Sequence, residues 1–225
     1  MVMCATWRSS CCACENRATS FEMRPEGREM TDMTAEIEIH DKVVILKDGG
    51  EVLLRPMTPD DCQTLIGLFA TAPDEDVLYL RDDVRDPAVA KGWCENLNYG
   101  RVFPLMALAD ERAVGQATLH FGCGPERHCG RVRIFVAKDF RRRGLGKQMI
   151  NVLIDLARRR GLHMLIAEIV LDQARLIKAC IAVGFELCHT LKDSFMLPDG
   201  NTRSVATLRK CLQPPCDEFG PLAEE

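Results

Sequence analysis

The sequence predicts a mixed α/β fold, with a central, mostly antiparallel sheet and helices on both faces. Three observations predict it. Apolar runs of strand length follow one another early and again at the end of the patterned region. Between them, strands alternate with helices. One helix, at 144–160, carries Leu145, Met149, Ile150, Val152, Leu153, Ile154, Leu156 and Ala157. At 100° per residue these cover an arc of roughly 200°, which suits a helix packed hard on a sheet.

Patterned sequence begins at Val43. Runs at 43–46 and 52–54 flank Lys47-Asp48-Gly49-Gly50, a hairpin signature. Thr58-Pro59-Asp60-Asp61 opens a helix: Thr can cap, Pro suits the first helical position, and acids favour the positive end of the dipole. Leu65, Leu68 and Phe69 give it an apolar face. Asp86-Pro87 opens a second helix on the same logic, ending near Leu97. Strands at 102–109 and 113–121 are joined by the polar turn Asp110-Glu111-Arg112, and a third strand spans 132–136. Gly161 ends the long helix, 164–170 is a strand, and 173–183 is a helix closed by Gly184. Strands at 185–191 and 205–211 surround Pro198-Asp199-Gly200-Asn201. The order is β-β-α-α-β-β-β-α-β-α-β-β, which is not that of a pure doubly wound sheet.

Residues 1–40 show no sustained period, and a poorly ordered leader is expected there, with Met30 or Met33 as the natural start. The patterned domain is expected at 41–211, followed by a flexible acidic tail at 212–225. A net charge of −4 and a pI of about 5.8 argue against nucleic acid or an anionic membrane as partner. No apolar run approaches the ~20 residues that cross a bilayer. Arg8, Glu15 and Arg17 interrupt any secretory h-region. Twelve cysteines in a chain of this size are therefore expected as free thiols in a cytoplasm. Cys62, Cys94, Cys180 and Cys188 lie in apolar segments, where Cys behaves as a small hydrophobe. His120, Cys123, His128 and Cys129 match no standard zinc frame, and Cys4, Cys11, Cys12 and Cys14 are simplest as chance composition, so no metal is expected.

The most informative segment is Arg141-Arg142-Arg143-Gly144-Leu145-Gly146, between a strand and the long helix. A diphosphate needs several backbone N–H groups aimed at one point beside a helix N-terminus, with glycine where the backbone comes close. Gly144 and Gly146 meet that need, and Arg141, Arg142, Arg143 and Lys147 add positive charge. A Walker A loop is excluded because no Gly lies five residues ahead of Gly146-Lys147. A Rossmann fingerprint is incomplete because position 149 is Met. On the hexapeptide alone, a basic surface run with two turn glycines is an equal alternative.

The segment Val136-Ala137-Lys138-Asp139-Phe140-Arg141-Arg142-Arg143-Gly144-Leu145-Gly146 resembles the acetyl-CoA motif of the GNAT acetyltransferase superfamily. Gln173 to Phe185, a helix closing on Gly184-Phe185, resembles the superfamily's second signature. Val52-Leu53-Leu54-Arg55-Pro56 with Asp60-Asp61 looks like its first strand and helix. The resemblance covers residues 42–211 and implies a GNAT-like fold. It implies that Val136 offers backbone groups to the pantetheine arm, that Arg141 to Gly146 and Lys147 hold the pyrophosphate, and that Gln173 stands where the superfamily usually has Asn. Cys180 stands where it often has a Tyr acid. A Cys thiol could protonate a thiolate of similar basicity, though packing is its commoner role.

The implied activity is acetyl transfer from acetyl-CoA to an amine of a small molecule or an amino terminus. An amine of pKa about 10.4 must lose a proton before attack. The strand before the turn carries Arg131 and Arg133 but no acid, which leaves Glu168 as the best carboxylate base, with His120 and His128 as alternatives. Arg81-Asp82-Asp83-Val84-Arg85-Asp86 is a candidate acceptor loop, or simply a solvated loop in which Asp86 caps a helix. The competing reading is a catalytically weak acyl-CoA sensor, favoured by Cys180 and the acid-free strand. Oligomeric state is open, a homodimer included.

Overall fold

The computed structural model describes residues 41–80 and 82–213. The leader, Arg81 and most of the tail lie outside the described residues. Eight strands form one sheet in the order β1-β2-β3-β4-β5-β6-β8-β7. They are β1 (Lys42–Ile45), β2 (Glu51–Pro56), β3 (Val102–Ala109), β4 (Arg112–Phe121), β5 (Cys129–Val136), β6 (Met164–Val170), β7 (Glu186–Met196) and β8 (Thr202–Cys211). All neighbours are antiparallel except β5 and β6. The mixed, mostly antiparallel sheet is the one expected.

Helices cover both faces. Helix α4 (Leu145–Arg159) and α5 (Ala174–Ile181) pack on one side, where Met149, Leu153, Leu156 and Cys180 share a core with Leu119, Ile134 and Leu165. Helix α1 (Cys62–Ala70) and α3 (Pro87–Glu95) pack on the other, where Phe69 meets Trp93 and Phe135 at centroid distances of 5.9 and 5.2 Å. The eight apolar positions named for the long helix are all buried. Asp86 caps α3 as expected, its Oδ1 accepting from the Ala88 amide at 2.9 Å. At α1 a 3₁₀ turn, Pro59–Asp61, comes first, with Thr58 as its N-cap and Pro59 at its first position as expected, and the Asp61 carboxylate accepts from the Thr58 amide at 2.7 Å in a capping box.

Some elements differ from the sequence pattern. β5 starts at Cys129, because Gly130 hides the alternation; a Cβ there would lie 2.7 Å from Leu119 and 2.8 Å from Leu162. β7 runs on to Met196 with two register shifts and is exposed on both faces, so no period of 2 marks its end. A four-residue helix, α2 (Asp74–Val77), has three acids in its first turn and no apolar stripe to announce it.

Candidate active site

The site begins where the sheet opens. β5 and β6 pair over only three residues, Cys129↔Met164, Gly130↔Leu165 and Arg131↔Ile166. Past those pairs both strands continue, to Val136 and Val170, without a shared ladder. Alternation along β4–β5 decides which backbone groups face the gap. The Ala137 amide donates to Val114 O at 2.9 Å, so Val136 and Gly115 form a non-hydrogen-bonded pair. The amide and carbonyl of Val136 therefore point away from β4, toward the side β6 has left. The same parity turns the Ile134 groups that way. This wedge presents the Val136 amide and the Ile134 groups to an extended ligand arm, while the Val136 carbonyl is engaged within the protein.

The glycine turn stands at the end of β5. Arg142 has φ 61° and Gly144 has φ 93°, both left-handed, on either side of Arg143. Gly tolerates this φ and most residues do not. Alternating handedness makes successive amides converge on one side, an anion-binding concavity. Gly144 is the N-cap of α4 and no side chain caps that helix, so its first-turn amides add to the concavity and its dipole favours an anion. The resulting cradle is backbone.

The side chains of the turn do something different from the expectation. Arg141 is engaged inward: Nε donates to Val136 O at 3.0 Å, and its two terminal nitrogens meet Asp76 of α2 at 3.1 and 2.5 Å. Its guanidinium ties the turn to β5 and α2 instead of reaching outward. Arg143 forms an ion pair with Asp48 in the β1–β2 turn and lies 4.3 Å over the Phe140 ring. The Arg143 guanidinium holds the Asp48 carboxyl below the usual carboxylate range. Arg142 and Lys147 are the exposed cations of the segment. Lys47 joins them: its amide donates to Arg143 O at 3.0 Å, and its stem runs beside Gly144. No local sequence signal links Lys47 to a turn almost a hundred residues away.

Gln173 is the N-cap of α5, directly after β6 and a 3₁₀ turn, so it stands on the β6 side of the wedge. Cys180 is corrected as a proton donor. It is fully buried in the α4–α5 core, and burial pushes its thiol up to about 12. It packs.

Glu168 is half-buried on the face of β6 opposite that core, paired with Thr207 of β8. His120 lies on the same sheet face two strands away on β4, bonded to Thr118 Oγ1 at 3.0 Å. Burial first, then the charges of Arg133 and Arg131, push its imidazole down to about 3, too low for a useful base near neutrality. His128 lies instead edge-on to His163, 5.7 Å between centroids. Among the described residues no three His, Cys, Asp or Glu side chains gather as a metal site. In the loop before α3, Asp83 Oδ1 accepts from the Arg85 amide at 3.2 Å, and Arg85 pairs with Asp74. Tyr79, at the end of α2, reaches Asp172 at 3.3 Å, which Arg203 also holds at 2.9 Å. With Asp76 on Arg141, the α2 segment has one foot beyond each arm of the wedge.

The model of the acetyltransferase (GNAT) family matches residues 68–185, from α1 to the Gly184-Phe185 closure. The chain belongs to the GNAT acetyltransferase family. Solved structures agree with this GNAT fold. A ribosomal-protein-alanine N-acetyltransferase from Brucella melitensis is 27% identical, with a TM-score of 0.63 over 71% of this chain and 99% of that one. A putative acetyltransferase from Salmonella typhimurium, yncA, solved with its cofactor acetyl-CoA, is 20% identical, with a TM-score of 0.63 over 76% and 98%. The GNAT domain of S. lividans PAT is 19% identical, with a TM-score of 0.64 over 76% and 96%. No curated protein matches the chain significantly. As a GNAT protein it is an acyltransferase, of a family that uses acetyl-CoA. No described helix is long and apolar enough to cross a membrane.

Proposed function

We propose that this GNAT protein is an N-acetyltransferase that moves an acetyl group from acetyl-CoA to an amine of a small molecule or an amino terminus, by direct attack in a ternary complex. The observation that carries the reading is the wedge between β5 and β6 with a backbone anion cradle at its end. The pantetheine arm would lie along Val136 in strand fashion, with Gln173 opposite. The diphosphate would sit on the amides of Arg142 to Lys147, with Lys47, Arg142 and Lys147 as side-chain cations and Arg141 and Arg143 shaping the turn. Acetyl-CoA supplies the acyl group as a thioester.

Glu168 takes a proton from the acceptor ammonium, directly or through water, and the neutral nitrogen attacks the thioester carbonyl. An amide of the wedge edge, that of Val136, stabilises the oxyanion. The C–S bond breaks as the intermediate collapses, and the nitrogen gives up its second proton to water. With Cys180 in the core, water supplies the proton to the departing thiolate. Holding amine and thioester together contributes much of the rate. We place the patterned domain at 41–211 and the protein in the cytoplasm, in keeping with seven free cysteines among the described residues. The exposed β7 edge, with Leu187, Leu191 and Met196, would serve a homodimer.

Thiol release from acetyl-CoA with a panel of amines tests the reading, with product mass giving an amide. Release that depends on the amine, and is lost in Glu168→Gln, is expected. The burial of Cys180 also favours the sensor reading. Tight CoA binding with no turnover on any amine would replace the enzyme by that sensor.

A further inference from the structure

Two thiols meet between the helices on the sheet face opposite α4 and α5. Cys62 is the first residue of α1, and Cys94 lies in the last turn of α3. Helix α3 packs against both α1 and the 3₁₀ turn that leads into it. Cys94 is 3% exposed, in the core that also holds Leu65, Phe69 and Trp93. Cys62 is half-buried at the edge of that core, where solvent reaches it. The two side chains are hydrogen-bonded to each other. At the far end of the same helices, the Arg85 guanidinium, just before α3, donates to Ala72 O, just after α1, at 3.2 Å. The helices therefore run antiparallel, with the thiols at the base and the α2 segment at the top.

One buried thiol is a small hydrophobe, but two in contact on different helices need little movement to bond. One of them meets solvent and the other is sealed behind it, which suits an attacking and a resolving cysteine. Burial first, then the neighbouring Cys62 and the acids Asp61 and Glu95, pushes the Cys94 thiol up to about 12. Cys94 therefore stays protonated until a disulfide sulfur is brought beside it. We propose that Cys62 and Cys94 are a site of reversible oxidation, joined by exchange with a small-molecule disulfide such as oxidised glutathione. The Cys62 sulfur gives up its proton and attacks one sulfur of the small disulfide; that S–S bond breaks, and the first small thiolate leaves and takes up a proton. Cys94 then gives up its proton and attacks Cys62 Sγ, and the second small thiolate leaves and is protonated. Both protein sulfurs are oxidised and the small disulfide is reduced to two thiols. The structure shows the reduced form. The bond closes residues 62–94 into a loop that carries α2, with Asp76 and Tyr79, and it staples the base of the α1–α3 pair. In a reducing compartment such a bond is transient, made and undone with the thiol pool.

The test treats the full chain with oxidised glutathione, blocks the remaining thiols by alkylation and maps the peptides by mass. A cross-linked Cys62–Cys94 peptide, two hydrogens lighter than the separate pair and released by dithiothreitol, is expected in most of the protein. Glutathione retained on Cys62, with Cys94 alkylated once the chain is unfolded, would overturn the proposal. So would a pair left reduced, whether or not the exposed Cys123, Cys188 and Cys211 react. In urea, the oxidised protein should unfold at a midpoint about 1 M above the reduced one, because the closed loop restrains the unfolded chain. Cys62→Ser, a change at the edge of the core, should abolish both the cross-link and the rise. A cross-link without a rise, or a rise that persists in Cys62→Ser, would overturn the staple.

Discussion

The glycine turn and the sheet face around Glu168 are held in opposite ways. At the turn, backbone groups are offered and the large side chains are tied inward: Arg141 to Asp76 and Val136, Arg143 to Asp48 and Phe140. At the sheet face β6 is paired with β8 along its whole length and with β5 only as far as Ile166, and the side chains are offered. A cradle made of amides tolerates changes in side chains that keep its φ angles. A surface made of side chains changes its chemistry with each substitution. The first suits a cofactor common to a family, and the second suits an acceptor that differs between its members.

The largest expected effect lies on the side-chain surface. Glu168→Gln should lower kcat about 100-fold and leave KM for acetyl-CoA within about twofold, as read by steady-state kinetics. A KM effect as large as the kcat effect would place Glu168 in binding instead. His120 comes next. Its folded pKa of about 3 lies below the ordinary histidine value, so the unfolded chain binds the extra proton. Its contribution is full above about pH 6.5 and is lost as pH falls toward 3. Between pH 6.5 and 5 this costs about 2 kcal/mol, at about 1.4 kcal/mol per pH unit. Urea unfolding of the wild type and His120→Gln at both pH values should show a smaller pH loss in the variant.

At the turn, effects should be smaller and confined to the cofactor. Arg141→Met removes the brace between turn, β5 and α2. We expect KM for acetyl-CoA to rise about tenfold and unfolding free energy to fall by about 2 kcal/mol, measured by steady-state kinetics and denaturant titration. A loss of CoA affinity without any loss of stability would mean that Arg141 reaches the cofactor after all. Lys47→Ala should weaken CoA binding only a few-fold, with a shallower salt dependence in calorimetry, because it adds one solvent-exposed charge to a cradle made of amides.

Much of this was legible in the chain. The eight strands, the broad face of α4, the caps at Asp86 and Gly184, and the glycine turn all rest on signals that span a few neighbouring residues. Gly144 could be singled out because a left-handed φ at a helix mouth is a local demand. The short α2 was not, since three acids on four residues carry no periodicity. Lys47 and Asp48 carry only a hairpin signal in the sequence, although they wall the glycine turn. Cys180 stands at a position that resembles a tyrosine site, and only packing shows it to be sealed in the core.

By itself, then, the sequence determined the order and type of elements and the presence of a backbone cradle, because hydrogen-bond geometry and hydrophobic period act between near neighbours. The tertiary structure decided which partner each charge has and which face each strand residue occupies. Arg141 turns inward because Asp76 folds over it, and Arg133 and Glu168 share one face because β5 and β6 run parallel for three residues before parting. Both depend on contacts between residues distant in the chain, and no local pattern encodes them.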